Sequence, residues 1–353
     1  MKKNIKENKK VIPVFYAADE NYLPYLAVAI TSLKAHVSKE YEYRIHVLCP
    51  GDLGENGKKI KKLETENISI RFENVANKMD RIQSFIHCRD YYTSAIYYRL
   101  FIPELFTQYK KAIYLDCDTV LLDDIANLYN VELGDNLIGA VADEAVASID
   151  VFRDYTKNAL GIPGNCYFNS GVIVMDLEKF RQINFCEKFC EVLSSYHFIV
   201  APDQDCLNLI CKGKIKYYDG EWNKMPIGGS AVKKPKLVHY NLTMKPWHYD
   251  DVLYQEYFWE YAEQTEFYDV IKAALAGFTA EMAERDRVGG ERLLALAQAE
   301  ADSPENYLNT VGRGAERTYK NENEVGRYGF IEDFSEPIGD FEADRRTRKS
   351  RAV

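Results

Sequence analysis

Short apolar runs alternate with amphipathic segments along the first half of the chain. The runs are rich in β-branched and aromatic residues and predict strands, because a strand that is buried on both faces has no polar side. They cover residues 11–17, 43–49, 68–75, 110–118 and 136–143. After the first run, apolar residues from Leu23 to Val37 recur at helical spacing, with Pro24 in the first turn. Strands that alternate with helices predict βαβ units, so we expect an α/β fold with a mostly parallel, Rossmann-like sheet flanked by helices.

The second half of the chain has a less regular pattern. It predicts strands over 167–177 and 236–242, and helices over 178–196 and 203–211. From Tyr254 onward the segments become aromatic, acidic and helical, with an interruption expected at Gly289–Gly290. We therefore divide the chain into a basic N-terminal segment over 1–10, a main domain over 11–255, a helical extension over 256–303 and a polar, weakly ordered tail over 304–353.

Charge and cysteine content narrow the class of protein. The formal net charge is −9, and an acidic surface repels a phosphate backbone, so we expect no binding of nucleic acid. No apolar run approaches the ~20 residues that a membrane-spanning helix needs. The eight cysteines form no C-x-x-C pair, and a chain of this length does not depend on disulfides. We expect a cytoplasmic protein with reduced thiols.

The segment IYLDCDTVLLDD over 113–124 carries the sharpest chemical signal. Asp116 and Asp118 follow an apolar strand with one residue between them, and two such carboxylates can bind one hard divalent cation. The alternative interpretation is a polar turn that only ends the strand.

The run DCDTV over 116–120 also fits the signature of haloacid dehalogenase-like phosphatases. In those enzymes the first Asp is the nucleophile and a later acidic pair holds Mg²⁺. Neither Asp219-Gly220 nor Asp250-Asp251 reproduces that later pair, and three predicted strands precede Asp116 where such a phosphatase usually has none. The phosphatase interpretation is therefore a minor alternative.

Six segments occur in order along the chain: FYAADENY at 15–22, TSAIYYRLFIPELF at 93–106, LDCDTV at 115–120, NSGVIVMDLEKFR at 169–181, DQDCLN at 203–208 and HYNLTMKPWH at 239–248. Together they closely resemble family 8 of the retaining glycosyltransferases, over residues 11–250. The resemblance implies a GT-A type nucleotide-sugar-binding fold. It also implies transfer of a hexose, glucose or galactose, from a UDP-sugar to an acceptor hydroxyl of a glycan, glycolipid or glycoprotein, with retention at the anomeric carbon.

The resemblance assigns the nucleotide end of the donor site. Ala17, Asp19 and Asn21 become contacts of the uridine, with a helix-capping loop as the alternative interpretation of these polar residues. Arg99 matches the family arginine that touches the donor sugar and phosphate. An arginine in an otherwise apolar helix would be a poor choice for packing alone.

The resemblance also assigns a metal site. Asp116 and Asp118 become ligands of Mn²⁺ or Mg²⁺, with Cys117 between them among the donor-binding residues. His239 matches the third protein ligand, and a neutral imidazole is a good ligand for Mn²⁺. Lys245 would place its ammonium on the β-phosphate, where a cation stabilises the charge of departing UDP.

One position departs from the family pattern, which often reads HxxGxxKPWH where this chain has HYNLTMKPWH. Leu242 stands where a glycine would let the backbone approach the diphosphate. We therefore expect no backbone contact with phosphate at this position.

The sugar end of the donor site is assigned in the same way. Asp143 and Asn169 match positions that hydrogen-bond the donor sugar, and Asp203 and Gln204 match the pair near the anomeric carbon. Retention by double displacement needs a carboxylate nucleophile, but the residue nearest that position by resemblance is Gln204, whose amide is a poor nucleophile. We therefore favour a front-face route in which Asp203 positions donor hydroxyls, with Asp205 as the residue to test as a concealed nucleophile.

Several alternatives remain open on the sequence alone. The chain could bind a UDP-sugar without transferring it, or glycosylate its own tyrosines, of which there are 26. The basic terminal segments, including RRTRKSR at 345–351, could touch the inner membrane surface from the cytoplasmic side. Solubilising termini are the other interpretation of the same residues.

Overall fold

The computed structural model describes residues 9–80, 82, 94–228, 232 and 234–312. Most of the basic N-terminal segment and of the polar tail, including RRTRKSR, lie outside the described residues.

The described residues contain nine strands. They are β1 Lys10–Ala17, β2 Tyr41–Cys49, β3 Ile68–Asn74, β4 Lys111–Leu115, β5 Thr119–Leu121, β6 Ile138–Ala142, β7 Phe168–Asp176, β8 Ile215–Tyr217 and β9 Leu237–His239. Seven of them form one sheet in the order β3-β2-β1-β4-β7-β6-β8. All neighbouring pairs are parallel except that β7 runs antiparallel to both β4 and β6. This mostly parallel sheet confirms the predicted α/β fold.

The described helices flank the sheet and extend beyond it. They are α1 Leu23–His36, α2 Gly54–Lys61, α3 Ala76–Met79, α4 Ile102–Leu105, α5 Ile125–Tyr129, α6 Glu144–Ser148, α7 Asp150–Asp154, α8 Leu177–Gln182, α9 Phe185–Ser195, α10 Pro202–Cys211, α11 Gln255–Ala262, α12 Tyr268–Gly277 and α13 Ala280–Asp302. A 3-10 helix also covers Ser94–Phe101, and a π-helical turn covers Tyr155–Ala159. None of the described helices is long and apolar enough to cross a membrane.

The apolar run of β1 is continuous because helices cover both faces of the sheet. Val14 and Tyr16 belong to one hydrophobic core, while Phe15 between them belongs to the other. Alternate residues of a strand point to opposite faces, so a central strand needs apolar side chains at every position.

The C-terminal helices α11 and α12 pack against the main body. Phe258, Tyr261 and Ile271 are buried in the same core as Val14 and α1. Residues on both sides of position 255 therefore share one core.

Two local predictions differ from the structure, and two short strands were not predicted. The helix predicted over 178–196 is two helices, because Asn184 adopts a left-handed conformation with φ of 52°. The interruption predicted at Gly289–Gly290 is wrong, because α13 runs through both glycines. Strong helix formers surround the pair and outweigh the low propensity of glycine. The short strands β5 and β8 were not predicted, since three residues carry too little periodicity to stand out.

Candidate active site

A cavity of about 720 Å³ opens at one edge of the central sheet. The carboxyl ends of β1, β4 and β6 deliver Ala17, Asp116 and Asp143 to it, as expected for parallel strands in an open α/β sheet. Because β7 runs the other way, its first residues reach the same edge, and these include Asn169 and Ser170.

Asp116, Asp118 and His239 form a cluster whose candidate ligand atoms all lie within 4.8 Å of one another. Asp118 directly precedes β5, and β5 pairs antiparallel with β9 so that Thr119 lies opposite His239. This register brings the imidazole Nε2 to 3.2 Å from Asp118 Oδ1 and 3.8 Å from Asp116 Oδ2. The two-stranded ribbon thus joins ligands that are far apart in the sequence.

A buried asparagine sets the orientation of the His239 ring. Asn223 donates its amide Nδ2 to Asn169 Oδ1 at 2.9 Å, which turns its own Oδ1 toward His239 Nδ1 at 3.0 Å. An amide oxygen can only accept, so the ring proton lies on Nδ1 and the lone pair of Nε2 faces the two carboxylates. Such outer partners fix the tautomer of a metal-binding histidine.

Asp118 lies between the imidazole and a buried lysine. Its Oδ2 accepts a hydrogen bond from Lys245 Nζ, which also donates to the carbonyl of Tyr240 at 2.6 Å. Its Oδ1 is buried without a hydrogen bond. Burial alone raises the pKa of the Asp118 carboxyl, but the adjacent Lys245 ammonium outweighs it and holds that pKa below its usual range. The carboxylate is therefore ionised and has an oxygen available for a ligand.

The backbone at Gly171 lies directly against these groups, where only a residue without a side chain fits. A Cβ added at Gly171 would lie 2.3 Å from His239 Cε1 and 2.5 Å from Asp116 Oδ2. Two carboxylates, one of which has an unbonded buried oxygen, and one imidazole form a donor set that suits Mn²⁺ or Mg²⁺. The residues present thus fit a divalent cation.

Arg99 connects the metal cluster to the rest of the cavity. It is 4% exposed, and its guanidinium donates to Asp116 Oδ1 at 2.9 Å and to the Ser170 carbonyl at 2.6 Å. Its Nε lies 3.5 Å from Asp203 Oδ2, and Tyr114 lies under its plane with the ring centre at 4.3 Å. The guanidinium is therefore fixed between two acidic groups.

Side-chain amides and a carboxylate form a second network beside Arg99. Asp143 Oδ2 accepts from Asn169 Nδ2 at 3.0 Å and from Gln204 Nε2 at 3.1 Å. The other oxygen of Asp143 caps α6 by accepting from Val146 N at 3.0 Å. Gln204 Oε1 in turn accepts from the backbone N–H of Ser170 at 2.8 Å. The structure thus brings together Asp143, Asn169 and Gln204, three residues that the sequence analysis assigned to the sugar end of the donor site.

Asp203 and Asp205 differ in where they point. Asp203 lines the cavity beside Arg99, and burial raises its pKa to about 6 while Arg99 limits the rise. Asp205 does not line the cavity: Tyr155 and Tyr167 donate to its two oxygens at 2.7 and 2.6 Å. Burial raises the pKa of Asp205 to about 7 against those hydrogen bonds. The structure therefore does not place Asp205 with the other candidate residues.

Some of the predicted nucleotide contacts line the cavity and one does not. Ala17 and Asp19 line the cavity, and Cys117 lines it too, donating its thiol to the Ala17 carbonyl at 3.1 Å. Asp19 also caps the following turn, since its Oδ1 accepts from Asn21 N at 3.0 Å. Asn21 is exposed and lies outside the cavity lining, where Tyr22 stands instead.

Leu242 keeps the backbone shape that a glycine would favour. Its φ is 54°, in the left-handed region, and its side chain lines the cavity. The chain therefore makes the turn before Lys245 with a strained leucine.

Sequence analysis missed three contributions to this site. Ser170 and Asn223 were not singled out, although the run NSG at 169–171 contained one of them. The contribution of α13 to the cavity was also missed, although a helical extension was predicted there; α13 lines the cavity with residues from Arg285 to Leu294. No motif marked α13, because its role comes only from where it packs.

Residues 13–251 match the model of glycosyl transferase family 8, which covers more than half of the chain. The chain belongs to glycosyl transferase family 8. Membership of this family leaves the phosphatase interpretation without support, and it confirms the resemblance read from the motifs.

The chain is similar to several known glycosyltransferases. The chain is 29% identical over 255 residues to the lipopolysaccharide 1,2-glucosyltransferase of Escherichia coli K12, covering 67% of this chain and 72% of that protein. The structure of the galactosyltransferase LgtC in complex with donor and acceptor sugar analogues superposes with a TM-score of 0.62 and 27% identity, over 72% of this chain and 96% of LgtC. The bifunctional glycosyltransferase WbbM gives a TM-score of 0.65 and 26% identity, over 78% of this chain and 53% of WbbM. The fold is that of GT-A glycosyltransferases.

Proposed function

We propose that this family 8 enzyme transfers a hexose, glucose or galactose, from a UDP-sugar to an acceptor hydroxyl with retention, using Mn²⁺ held by Asp116, Asp118 and His239. The observation that carries the proposal is the cluster itself: its ligand atoms lie within 4.8 Å, and Lys245 adjoins it in the same cavity. A divalent cation beside a fixed ammonium suits a diphosphate, whose negative charge grows as the sugar departs.

The remaining lining supports one orientation of the donor. The uridine would lie against Ala17, Asp19 and Cys117, and the diphosphate between the metal cluster and Arg99. The hexose would then meet Asp143 and Asn169, whose polar atoms suit sugar hydroxyls. A bound cation supplies Lewis-acid charge that offsets the charge of the diphosphate.

The protein groups at the sugar end support a front-face route. Gln204 offers a neutral amide that Ser170 and Asp143 hold in place, and an amide is a poor nucleophile. Asp205 is turned away into its two tyrosine hydrogen bonds, so it acts by holding the floor of the cavity rather than as a nucleophile. In this route the bond from the anomeric carbon to the β-phosphate oxygen breaks, and the acceptor oxygen bonds to the same face. The acceptor proton passes to the departing phosphate oxygen, while Asp203 orients donor hydroxyls.

The proposal also names a class of acceptor and the location of the reaction. A glycan, glycolipid or glycoprotein acceptor is supported by the name of the E. coli relative, a lipopolysaccharide glucosyltransferase. We place the reaction in the cytoplasm. We also propose that the basic termini make peripheral contact with the inner membrane surface.

The test is release of UDP by the purified protein across a panel of UDP-hexoses, with and without Mn²⁺. We expect one donor to be hydrolysed slowly, EDTA to stop the release, and Asp118→Asn to lower it by at least roughly 100-fold. Asp123→Asn is the matched control: it lies in the same run of acidic residues but outside the cavity lining, and its rate should match that of the unaltered protein. A protein that binds UDP but transfers to no acceptor would be a non-catalytic binder. Absence of metal-dependent UDP binding would overturn the proposal.

A further inference from the structure

The cavity continues beyond the groups assigned to the donor. Its far section is lined by apolar side chains, namely Val146, Ile149, Phe152, Val200, Leu293 and Leu294. Ile149 is 37% exposed although it faces a cavity. Apolar surface of this kind gains free energy only when a ligand removes it from water.

One wall of this section is a helix outside the part of the chain that matches the family model. Helix α13 lies beyond residues 13–251, which match family 8. It presents Gly289 and Gly290 to the cavity, in the middle of 23 helical residues. Glycine is among the least favourable helix formers, but its missing side chain keeps the cavity wide at this point. A Cβ added at Gly290 would meet no heavy atom within 4 Å.

Contacts on both sides of the glycine pair hold this wall in place. On the N-terminal side, Asp286 Oδ2 accepts from Tyr249 OH at 2.9 Å, and Phe278 stacks on His248 with ring centres 4.3 Å apart. On the C-terminal side, Ala297 is fully buried in the second hydrophobic core. Helix α13 therefore bridges the segment that carries Lys245 and the core beneath α7.

The hydroxyl protons of Tyr155 and Thr156 in this section are donated within the protein. Tyr155 donates to Asp205 at 2.7 Å, and Thr156 donates to the Arg153 carbonyl at 3.2 Å. A purely polar ligand would lose water there without gaining equivalent partners. The section thus suits an apolar group.

We propose that this section is an acceptor subsite that binds an apolar group attached to the acceptor, such as an alkyl or acyl chain, with α13 as its wall. The inference rests on the proposed function, because it places the acceptor next to the donor sugar at Asp143 and Gln204 in the same cavity. It names the acceptor class as a glycoside whose aglycone is apolar, in preference to a free oligosaccharide.

The experiment compares binding of octyl β-D-glucoside, below its micelle concentration, with binding of methyl β-D-glucoside. Both are titrated into the full chain with UDP and Mn²⁺ present, and UDP binding is measured in the same samples. The informative variant is Gly290→Leu, which projects a side chain into the open space and favours the helix. Ala295→Leu is the control, since it adds the same side chain at an exposed position of the same helix.

We expect the octyl glucoside to bind at least 10-fold more tightly than the methyl glucoside. Gly290→Leu should remove that preference, while Ala295→Leu should keep it and both variants should bind UDP normally. An equal affinity for the two glucosides, or an octyl preference unchanged by Gly290→Leu, would overturn the subsite. Loss of UDP binding in the unaltered protein would instead count against the proposed function, so the two failures are distinguishable.

Discussion

The two sections of the cavity are built on different principles. In the polar section, hydrogen bonds fix the side chains: Arg99 is held by Asp116 and Ser170, and Asp143 by Asn169 and Gln204. In the apolar section, most lining side chains are aliphatic or aromatic and make no side-chain hydrogen bond, and the two glycines of α13 face the cavity. Polar networks depend on every member, whereas apolar surfaces tolerate changes of shape. We therefore expect single substitutions to be costly in the polar section and to tune selectivity in the apolar one.

The largest effect is expected from Gly171→Ala, in the polar section. The added Cβ would collide with the His239 ring and Asp116, so it should lower metal-dependent UDP affinity by at least roughly 10- to 100-fold. Calorimetric titration of UDP with and without Mn²⁺ measures this. Gly228→Ala is the matched control, because a Cβ there meets nothing within 4 Å. Equal losses in the two variants would show that Gly171 has no special place beside the cluster.

A weaker effect is expected at Asp205, which lies behind the cavity lining and accepts from Tyr155 and Tyr167. Its folded pKa of about 7 lies above the value for an unfolded carboxyl, so the folded state binds more protons between about pH 4 and pH 7. This contribution therefore lowers stability as pH rises through that window, by an amount on the order of a few kcal/mol. The groups around the carboxyl are Tyr155 and Tyr167 as donors and Asp203 as a neighbouring charge.

Asp205→Asn removes this titration, so its melting temperature relative to the unaltered protein should be more favourable at pH 8 than at pH 5. Thermal melts across that range provide the measurement. Asp154→Asn, at an exposed position of α7, is the control and should follow the unaltered protein. Parallel curves for Asp205→Asn would argue against a raised pKa at this site.

The smallest effect concerns Leu242, at the edge of the polar section. Leu242→Gly relieves a left-handed φ of 54° and should stabilise the fold by up to about 1 kcal/mol without lowering UDP affinity. Leu253→Gly is the control, because Leu253 is also exposed but has no positive φ, and glycine should destabilise there. Chemical denaturation of both variants tests this. A loss of stability at position 242 as well would mean that the leucine side chain contributes more than the strain costs.

The sequence by itself determined most of the longer local elements and the principal charged residues of the polar section. Apolar runs gave β1, β2, β3 and β4 because buried strands need apolar residues on both faces, and the motifs carried Asp116, Asp118, His239 and Lys245. These signals are short in range, so they are readable without knowledge of the fold.

Only the tertiary structure decided which of these residues meet. The pairing of β5 with β9 joins Asp118 to His239, and the sheet order brings Ser170 to Arg99 across 71 residues of sequence. Packing also buries Asp205 away from the cavity and brings Asn223 into hydrogen-bond contact with His239. It places the glycines of α13 in the lining of the apolar section. Such contacts depend on strand order and helix packing, which hydrophobic periodicity within a segment does not encode.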